Sequence, residues 1–325
     1  MNKFNVLLFQ DIHPAGKKIL QGKADIVIAE SLEESHLVKQ VVDVDAIVVR
    51  SNAKLTRRIM EAAPRLKVVG RHGVGVENID LDAATEMGIW VASTPNANNQ
   101  SVAEHFFGLA IMMIRMMKES NVLLHEGRWQ ERHHYIGHEI QGKTLGILGF
   151  GRVGKTIGRI GFKGFDMRIL YHDLLRFEVV ERELHAMKVG LEEVMAQSDF
   201  ISINLPLTPE TKGMVGSREL TLMKPTAYIL NLARGPIWDE QAVEKVLRER
   251  KIAGAGSDVY EVEPAAKDHP LLALDNFVGT PHMAAHTEEA LEKMSLVAQD
   301  IVRVLDGKEP LYPVNRPVRR KKAGS

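Results

Sequence analysis

The sequence has no cysteine and no excess of either charge. Lys and Arg together number 42 among the 325 residues, and Asp and Glu also number 42. The absence of cysteine excludes disulfide bonds, thiol nucleophiles and cysteine-ligated metals. The balanced charge provides no long-range field that would favour nucleic acid or an anionic membrane as a partner.

Long apolar runs are also missing. No uninterrupted apolar stretch reaches the length that spans a bilayer, and the amino-terminal segment has the polar edges of a strand rather than the pattern of a signal peptide. We therefore expect a cytoplasmic protein that binds neither membrane nor nucleic acid. Residues 319–325 are basic and aperiodic, and we predict that they form a disordered tail.

Short segments rich in Val and Ile alternate with helix-length amphipathic segments in two series. One series fills the amino-terminal part of the chain up to residue 91, and the other begins at residue 144. Such alternation is typical of parallel sheets that are covered by helices on both faces. The pattern therefore predicts an α/β protein with two doubly wound parallel-sheet domains.

Two long helices are predicted outside these strands. The first opens with a capping box at Ser101 and Glu104 and extends to Arg115 or as far as His125. The second covers Thr287–Asp306, and the proline-rich stretch after it cannot continue the helix. We place a domain boundary just before the first of these helices, near residues 98–101.

A glycine-rich turn follows the first strand of the second series. The predicted strand Thr144–Leu148 leads into Gly149, Gly151 and Gly154, and a helical pattern comes next. This is the context that a dinucleotide-binding G-x-G-x-x-G turn requires, because the helix amino terminus meets the pyrophosphate. Asp173 ends the next strand at the spacing of a ribose-binding carboxylate, which favours NAD over NADP.

Three kinds of reactive side chain follow successive strands further along the chain. Arg234 follows one predicted strand, Asp258 and Glu263 follow the next, and His282 follows the last. Because the carboxyl ends of parallel strands lie at one edge of the sheet, we expect these side chains to meet at a ligand-binding edge. An arginine, an acid and a histidine there suit acid–base chemistry on an anionic substrate.

With these motifs, the sequence resembles the D-isomer-specific 2-hydroxyacid dehydrogenase family, and most closely its phosphoglycerate dehydrogenase-like branch. The resemblance covers residues 4–316 and includes the segments 73–80, 101–105 and 205–211. It implies a Rossmann NAD-binding domain, 99–285, inserted into a discontinuous flavodoxin-like substrate domain, 1–98 and 286–318. It also implies hydride transfer between NAD and a small D-2-hydroxy or 2-keto acid, and a homodimer.

The resemblance also implies roles for individual residues. His282 would be the general acid and base, Glu263 would pair with it and favour its imidazolium form, and Arg234 would bind the substrate carboxylate. Asp258 would receive the nicotinamide amide. The residues that the resemblance places against NAD are Gly149, Gly151, Arg152, Val153, Gly154, Asp173, Leu205, Pro206, Thr211, Ala233, Asp258 and His282. Those that it places against substrate are Arg50, Ser51, Arg71, His72, Gly73, Val74, Gly75, Arg234 and His282.

Some positions leave the substrate open. Arg50 and Arg71 match arginines that face a distal phosphate in the phosphoglycerate branch, which suggests a substrate with a second anionic group. The alternative is that these arginines only cap strands. His72 and Asn204 depart from the residues common in that branch, and both departures concern substrate identity rather than reaction type.

Two functions remain as alternatives, and metal binding is not expected. The first alternative is a glyoxylate or hydroxypyruvate reductase, and the second is a non-catalytic NAD-sensing protein that resembles a corepressor. Histidines recur at helical spacing at His134 and His138 and at His282 and His286, but the second pair lacks the glutamate of a zinc-protease motif. We therefore predict no metal site.

Overall fold

The computed structural model describes residues 3–51 and 53–317, and its contacts divide the chain into two units. The first unit is Met1–Asn98 with His286–Ser325, and the second is Asn99–Ala285. The predicted disordered tail, 319–325, lies outside the described residues. Within the described part of the chain, no helix combines the length and the apolar character that crossing a membrane requires.

The first unit is a five-stranded parallel sheet with helices on its faces. Its strands are β1 (Phe4–Leu8), β2 (Ala24–Ile28), β3 (Ala46–Val49), β4 (Val68–Arg71) and β5 (Trp90–Ala92). Its helices are α1 (Pro14–Gln21), α2 (Glu34–Gln40), α3 (Arg57–Glu61), α4 (Leu81–Glu86), α12 (Glu288–Ser295) and α13 (Val297–Leu305). The strand order is β2-β1-β3-β4-β5, which is the flavodoxin-like order expected from the sequence.

Helix α13 explains why the carboxyl-terminal segment belongs to the first unit. Val297 and Ile301 of this helix are fully buried and belong to the same apolar cluster as Val6 and Val48 of the sheet. A second cluster, which includes Ile47 and Val69, covers the opposite face of the sheet. Because alternate strand residues enter the two clusters, both faces are buried, as is usual for parallel sheets.

The second unit is a seven-stranded parallel sheet. Its strands are β6 (Thr144–Leu148), β7 (Arg168–His172), β8 (Met187–Lys188), β9 (Phe200–Ile203), β10 (Tyr228–Asn231), β11 (Gly254–Ser257) and β12 (Phe277–Gly279). Its α-helices are α5 (Asn99–Ile114), α6 (Met117–His125), α7 (Arg152–Phe165), α8 (Glu178–Leu184), α9 (Leu191–Gln197), α10 (Ser217–Thr221) and α11 (Glu240–Arg248). The strand order is β12-β11-β10-β9-β6-β7-β8, so the direction of winding reverses between β6 and β9. Rossmann sheets bind their dinucleotide at this reversal.

The first long helix, α5, ends at Ile114, beside the shorter of its two predicted ends, Arg115, and the predicted carboxyl-terminal helix is divided in two. The capping box is wrong, because α5 begins at Asn99 and the carboxylate of Glu104 accepts a bond of 2.7 Å from the Gln100 side chain instead. The chain then breaks at Met116, which has a φ of 47°, and the carbonyl of Ile114 accepts from the His138 amide at 3.1 Å rather than from the next turn of the helix. The carboxyl-terminal helix is likewise divided at Leu296, where ψ is −7°.

Candidate active site

The glycine loop lies at the winding reversal of the second sheet. Gly149 follows β6 with a φ of 87°, and a Cβ there would lie 2.8 Å from the carbonyl oxygen of Asn204. A Cβ on Gly154 would collide with the carbonyl oxygen of Gly149. Gly151 is exposed, has open space beside it, and stands at the amino terminus of α7, where no side chain caps the helix. The loop therefore packs tightly at two glycines and leaves its backbone accessible at the third.

Asp173 comes directly after β7 and connects two loops at this edge. Its carboxylate accepts hydrogen bonds from the amides of Phe150 at 2.7 Å and Leu175 at 2.9 Å. A carboxylate offers about four acceptor positions, so the half-buried group retains acceptor capacity for further donors. Arg152 and Val153 open the neighbouring helix α7, with Arg152 exposed and Val153 partly buried against the core.

The loop after β9 is held by its own threonines. The hydroxyl of Thr211 donates to the carbonyl of Pro206 at 2.6 Å and accepts from the Thr208 amide at 2.8 Å. Asn204 donates to the hydroxyl of Ser202 at 3.0 Å, and Leu205 is partly buried in the core. This segment faces the glycine loop through the close approach of Asn204 to Gly149.

Arg234 is presented by a turn that a buried asparagine shapes. Asn231 ends β10 and is fully buried; its amide nitrogen donates to the Arg234 carbonyl at 2.9 Å, and its amide oxygen accepts from the Ala233 backbone at 3.1 Å. Arg234 is only partly buried, and its guanidinium also donates to the Ala233 carbonyl at 2.7 Å. The turn therefore fixes the backbone on both sides of the arginine.

Asp258 follows β11 and anchors the loop after β12. Its carboxylate is buried and accepts from the hydroxyl of Thr280 at 2.5 Å and from the amides of Met283 and Ala284, each at 2.8 Å. These three donors lie on both sides of His282 in the chain. Asp258 therefore holds the loop that carries His282, and this role does not depend on any further donor to its carboxylate.

His282 and Glu263 form a hydrogen-bonded pair. Nδ1 of His282 lies 2.7 Å from Oε2 of Glu263, and the other carboxylate oxygen accepts from the Tyr260 amide at 3.1 Å. The side chains are 42% and 37% exposed, so the pair is accessible to a ligand. His282 has a φ of 50°, a conformation that is uncommon for residues with a side chain and that concentrates at functional sites.

The charge state of Glu263 follows from its neighbours. Burial alone would raise the pKa of the carboxyl group, but the hydrogen bond and positive charge of His282, the Tyr260 amide and the charge of Arg234 together lower it below its ordinary value. Glu263 is therefore anionic at neutral pH.

Sequence reasoning missed His105 as a part of this site. Its Nε2 lies 2.9 Å from the hydroxyl of Thr280 and 3.9 Å from Oδ1 of Asp258. Since the Thr280 hydroxyl donates to Asp258, the ring nitrogen must be the donor to that hydroxyl. His105 appeared only within a family motif, and its distance of 175 residues from Thr280 left no local signal.

The remaining predicted residues lie in the first unit, around a loop that follows β4. Arg71 is buried, and its guanidinium donates to the carbonyls of His72 and of Gly75, the latter at 2.6 Å. Gly73 has a φ of 134°, and its carbonyl accepts from the amide and hydroxyl of Thr94 at 3.1 Å each. Val74 is exposed at the tip of the loop. Arg71 thus shapes the loop that was predicted to contact the substrate.

Three further residues of the first unit differ in burial. His72 is 3% exposed, and burial together with the charges of Arg50 and Arg71 lowers its pKa to about 4, so the ring is neutral. Arg50 is partly buried and donates to the carbonyl of Asp11 at 2.8 Å, and Ser51 beside it is exposed. Burial lowers the pKa of Arg50, but an arginine remains cationic at neutral pH.

Among the described residues, no group of three or more His, Cys, Asp or Glu side chains could hold a metal ion. The helical histidine spacing noted in the sequence does not bring such a group together in the described chain. His134 is the last residue of a short 3-10 helix, Trp129–His134, and His138 lies beyond it.

Comparison with known proteins agrees with this architecture. Residues 107–284 match the family model "D-isomer specific 2-hydroxyacid dehydrogenase, NAD binding domain". A D-3-phosphoglycerate dehydrogenase from Methanocaldococcus jannaschii is 41% identical over 96% of this chain, but the match spans only 59% of that relative's length. A glyoxylate reductase from Pyrococcus furiosus is 39% identical, over 97% of this chain and 96% of its own.

A solved structure is similar over the same range. The crystal structure of a glyoxylate reductase from Paecilomyes thermophila has a TM-score of 0.86 and 33% identity, and the match covers 97% of this chain and 99% of that one. The chain therefore belongs to the D-isomer specific 2-hydroxyacid dehydrogenase family, and its second unit contains the family's NAD-binding domain.

The residues of the second unit fit this cofactor. The start of α7 presents backbone N–H groups beside the open space at Gly151, which suits a pyrophosphate. Asp173 retains acceptor capacity for ribose hydroxyls. The glycine loop follows β6, where the strand order reverses, and Asp173 follows the adjacent strand β7.

We expect the substitution Asp173→Ser to narrow the preference for NAD over NADP. In its predicted role the carboxylate accepts from ribose hydroxyls and repels a 2′-phosphate, so the unmodified protein should favour NAD by about tenfold or more in kcat/KM. Steady-state kinetics with both cofactors measures the ratio. Equal use of NAD and NADP by the unmodified protein would show that Asp173 does not select the cofactor.

Proposed function

We propose that the protein transfers a hydride reversibly between NAD and C2 of a small D-2-hydroxy acid. The observation that supports this most directly is the hydrogen-bonded pair of His282 and Glu263, which stands after the last strands of an NAD-binding sheet. NAD, when bound, supplies or accepts the hydride. The protein must then bind the substrate and move one proton.

His282 performs the proton transfer in this proposal. Its Nδ1 is engaged by Glu263 at 2.7 Å, so the opposite ring nitrogen, Nε2, is the one that meets the substrate. During reduction the keto oxygen takes the proton from Nε2 as C2 gains the hydride, and the ring becomes neutral. During oxidation the neutral ring accepts the hydroxyl proton. Anionic Glu263 stabilises the imidazolium form and orients the ring.

Arg234 binds the substrate carboxylate. Its guanidinium provides donors in a planar fork that matches a carboxylate, and it polarises a neighbouring carbonyl. The backbone around it is fixed by Asn231, so its position depends little on substrate. In the first unit, the loop Gly73–Gly75 offers backbone amides to an anion, since such loops form anion-binding concavities.

We further propose that the substrate carries a second anionic group, such as a phosphate or a carboxylate. Arg50 and Arg71 place two cations around this loop, and Arg50 is the more accessible of the two. A second anionic group on the substrate would accept charge-assisted hydrogen bonds from such cations. The D-3-phosphoglycerate dehydrogenase relative is consistent with such a substrate.

A glyoxylate or hydroxypyruvate reductase is the second candidate, and the contacts of Arg71 favour it. The guanidinium of Arg71 already donates to the carbonyls of His72 and Gly75, so Arg71 has a structural role that does not need an anion. The relative from Pyrococcus furiosus, which matches over 96% of its length, is a glyoxylate reductase. We also propose, from the family resemblance, that the protein is a homodimer and that it is cytoplasmic.

We expect Glu263→Gln to move the pH profile of keto-acid reduction downward. Reduction needs the imidazolium form of His282, and without the anion this form loses its proton at a lower pH. The alkaline limb of kcat/KM should therefore shift by about one pH unit, which corresponds to about 1.4 kcal/mol of lost interaction. The control is Glu261→Gln, which removes an exposed carboxylate from the same loop and should leave the profile in place. An unchanged profile in the Glu263 variant would contradict the pairing.

The substrate proposal is tested with NADH and four keto acids: 3-phosphohydroxypyruvate, sulfopyruvate, hydroxypyruvate and glyoxylate. We expect the best substrate to be one of the two acids with a second anionic group, 3-phosphohydroxypyruvate or sulfopyruvate. Arg50→Gln should raise the KM of that substrate by about tenfold to a hundredfold, because a charge-assisted contact is lost. Turnover of glyoxylate should hardly change.

Arg57→Gln is the control for this experiment, because Arg57 is an exposed arginine of the same unit that pairs with Glu86. Should glyoxylate or hydroxypyruvate outperform both dianionic acids, Arg50 is structural and the second candidate replaces the first.

A further inference from the structure

The loop after β7 carries a cation as well as the ribose-binding acid. Arg176 stands three residues after Asp173, and its Nε lies 3.1 Å from Oε2 of Glu181 on α8. The arginine side chain is 67% exposed, whereas that of Glu181 is only 12% exposed. In this ion pair the arginine is exposed to solvent, whereas the glutamate is largely buried.

Glu181 is fixed by a buried tyrosine. The hydroxyl of Tyr171 donates to Oε1 of Glu181 at 2.5 Å and accepts from the Phe177 amide at 3.2 Å. The ring of Tyr171 is fully buried and stacks on Phe150 of the glycine loop at 4.2 Å between centroids. The Tyr171 bond, more than the charge of Arg176, lowers the pKa of Glu181 against the opposing effect of burial. Glu181 is thus an anion of defined position.

Two other cations near this loop, those of Lys155 and Lys188, are also engaged. The ammonium of Lys155 lies 3.5 Å from the centroid of the Phe177 ring, and that of Lys188 donates to the Leu174 carbonyl at 3.1 Å. A 2′-phosphate on the ribose at Asp173 would need a cation to offset the carboxylate, and arginine is the side chain best suited to bind phosphate. In this loop Arg176 is the natural candidate.

We propose that Glu181, held by Tyr171, is a cofactor-specificity residue that keeps Arg176 away from a 2′-phosphate. Asp173 repels that phosphate directly, and Glu181 acts through the arginine that would otherwise attract it. The inference rests on the proposed preference for NAD. It assigns a role to two residues, Tyr171 and Glu181, that are not themselves expected to contact the cofactor.

The test compares dissociation constants of 5′-AMP and 2′,5′-ADP, which differ only in the 2′-phosphate, by isothermal titration calorimetry. We expect Glu181→Gln to tighten binding of 2′,5′-ADP by about fivefold to tenfold, in the range of one charge-assisted contact, and to leave 5′-AMP binding unchanged. Glutamine can still accept from Tyr171 but cannot pair with a cation. Tyr171→Phe should act in the same direction and provides a second route if Glu181→Gln does not fold.

Two controls separate this mechanism from a general charge effect. Glu183→Gln removes the same charge from the same helix at a carboxylate that pairs with Arg159 and Lys163 instead, and it should change neither constant. Adding Arg176→Ala to Glu181→Gln should abolish the tighter binding of 2′,5′-ADP.

The inference is overturned if Glu183→Gln tightens 2′,5′-ADP binding equally, or if the tighter binding persists when Arg176 is also replaced. It is also overturned if neither Glu181→Gln nor Tyr171→Phe changes 2′,5′-ADP binding. In each case the unmodified protein would still prefer 5′-AMP, and the proposed NAD preference would stand. If the unmodified protein binds both nucleotides equally, the NAD preference fails and this inference fails with it.

Discussion

A buried carboxyl group is costly unless donors surround it, and Asp258 meets that condition by fixing the chain on both sides of His282. Thr280, Met283 and Ala284 donate to it, and His105 supports Thr280 from α5. The loops after β11 and β12 therefore act as one rigid piece. The position of His282 relative to Glu263 depends on this arrangement, since Glu263 lies on the first of these loops and His282 on the second.

The order of the strands determines what this rigid piece can act on. In the second sheet the glycine loop, Asp173, Arg234 and the His282 loop all follow carboxyl ends of parallel strands, so they share one edge. The glycine loop stands at the reversal between β6 and β9, and Asp173 stands after the neighbouring strand β7. The acid–base pair stands toward the β12 side. A reaction between a dinucleotide and a small anion is the chemistry that this distribution of groups suits.

The sequence was sufficient to predict the two doubly wound sheets, because buried parallel strands leave clear apolar segments and the glycine turn has a fixed context. It was not sufficient for features that depend on distant partners. The break at Met116 depends on an amide at His138, and the role of His105 depends on Thr280. The contacts of Arg71 with its own loop also could not be inferred from composition or spacing, so the sequence left its role open between substrate binding and structure.

The central claim, that His282 moves the proton in a hydride-transfer reaction, is tested most directly by His282→Ala. Turnover of the best keto acid is measured in steady state, and NADH affinity is measured separately by fluorescence titration. We expect kcat of this variant to fall by about a hundredfold or more, which is the usual range for loss of a general acid, while NADH binds as before. A variant that retains NADH binding and turns over at the unmodified rate would contradict it.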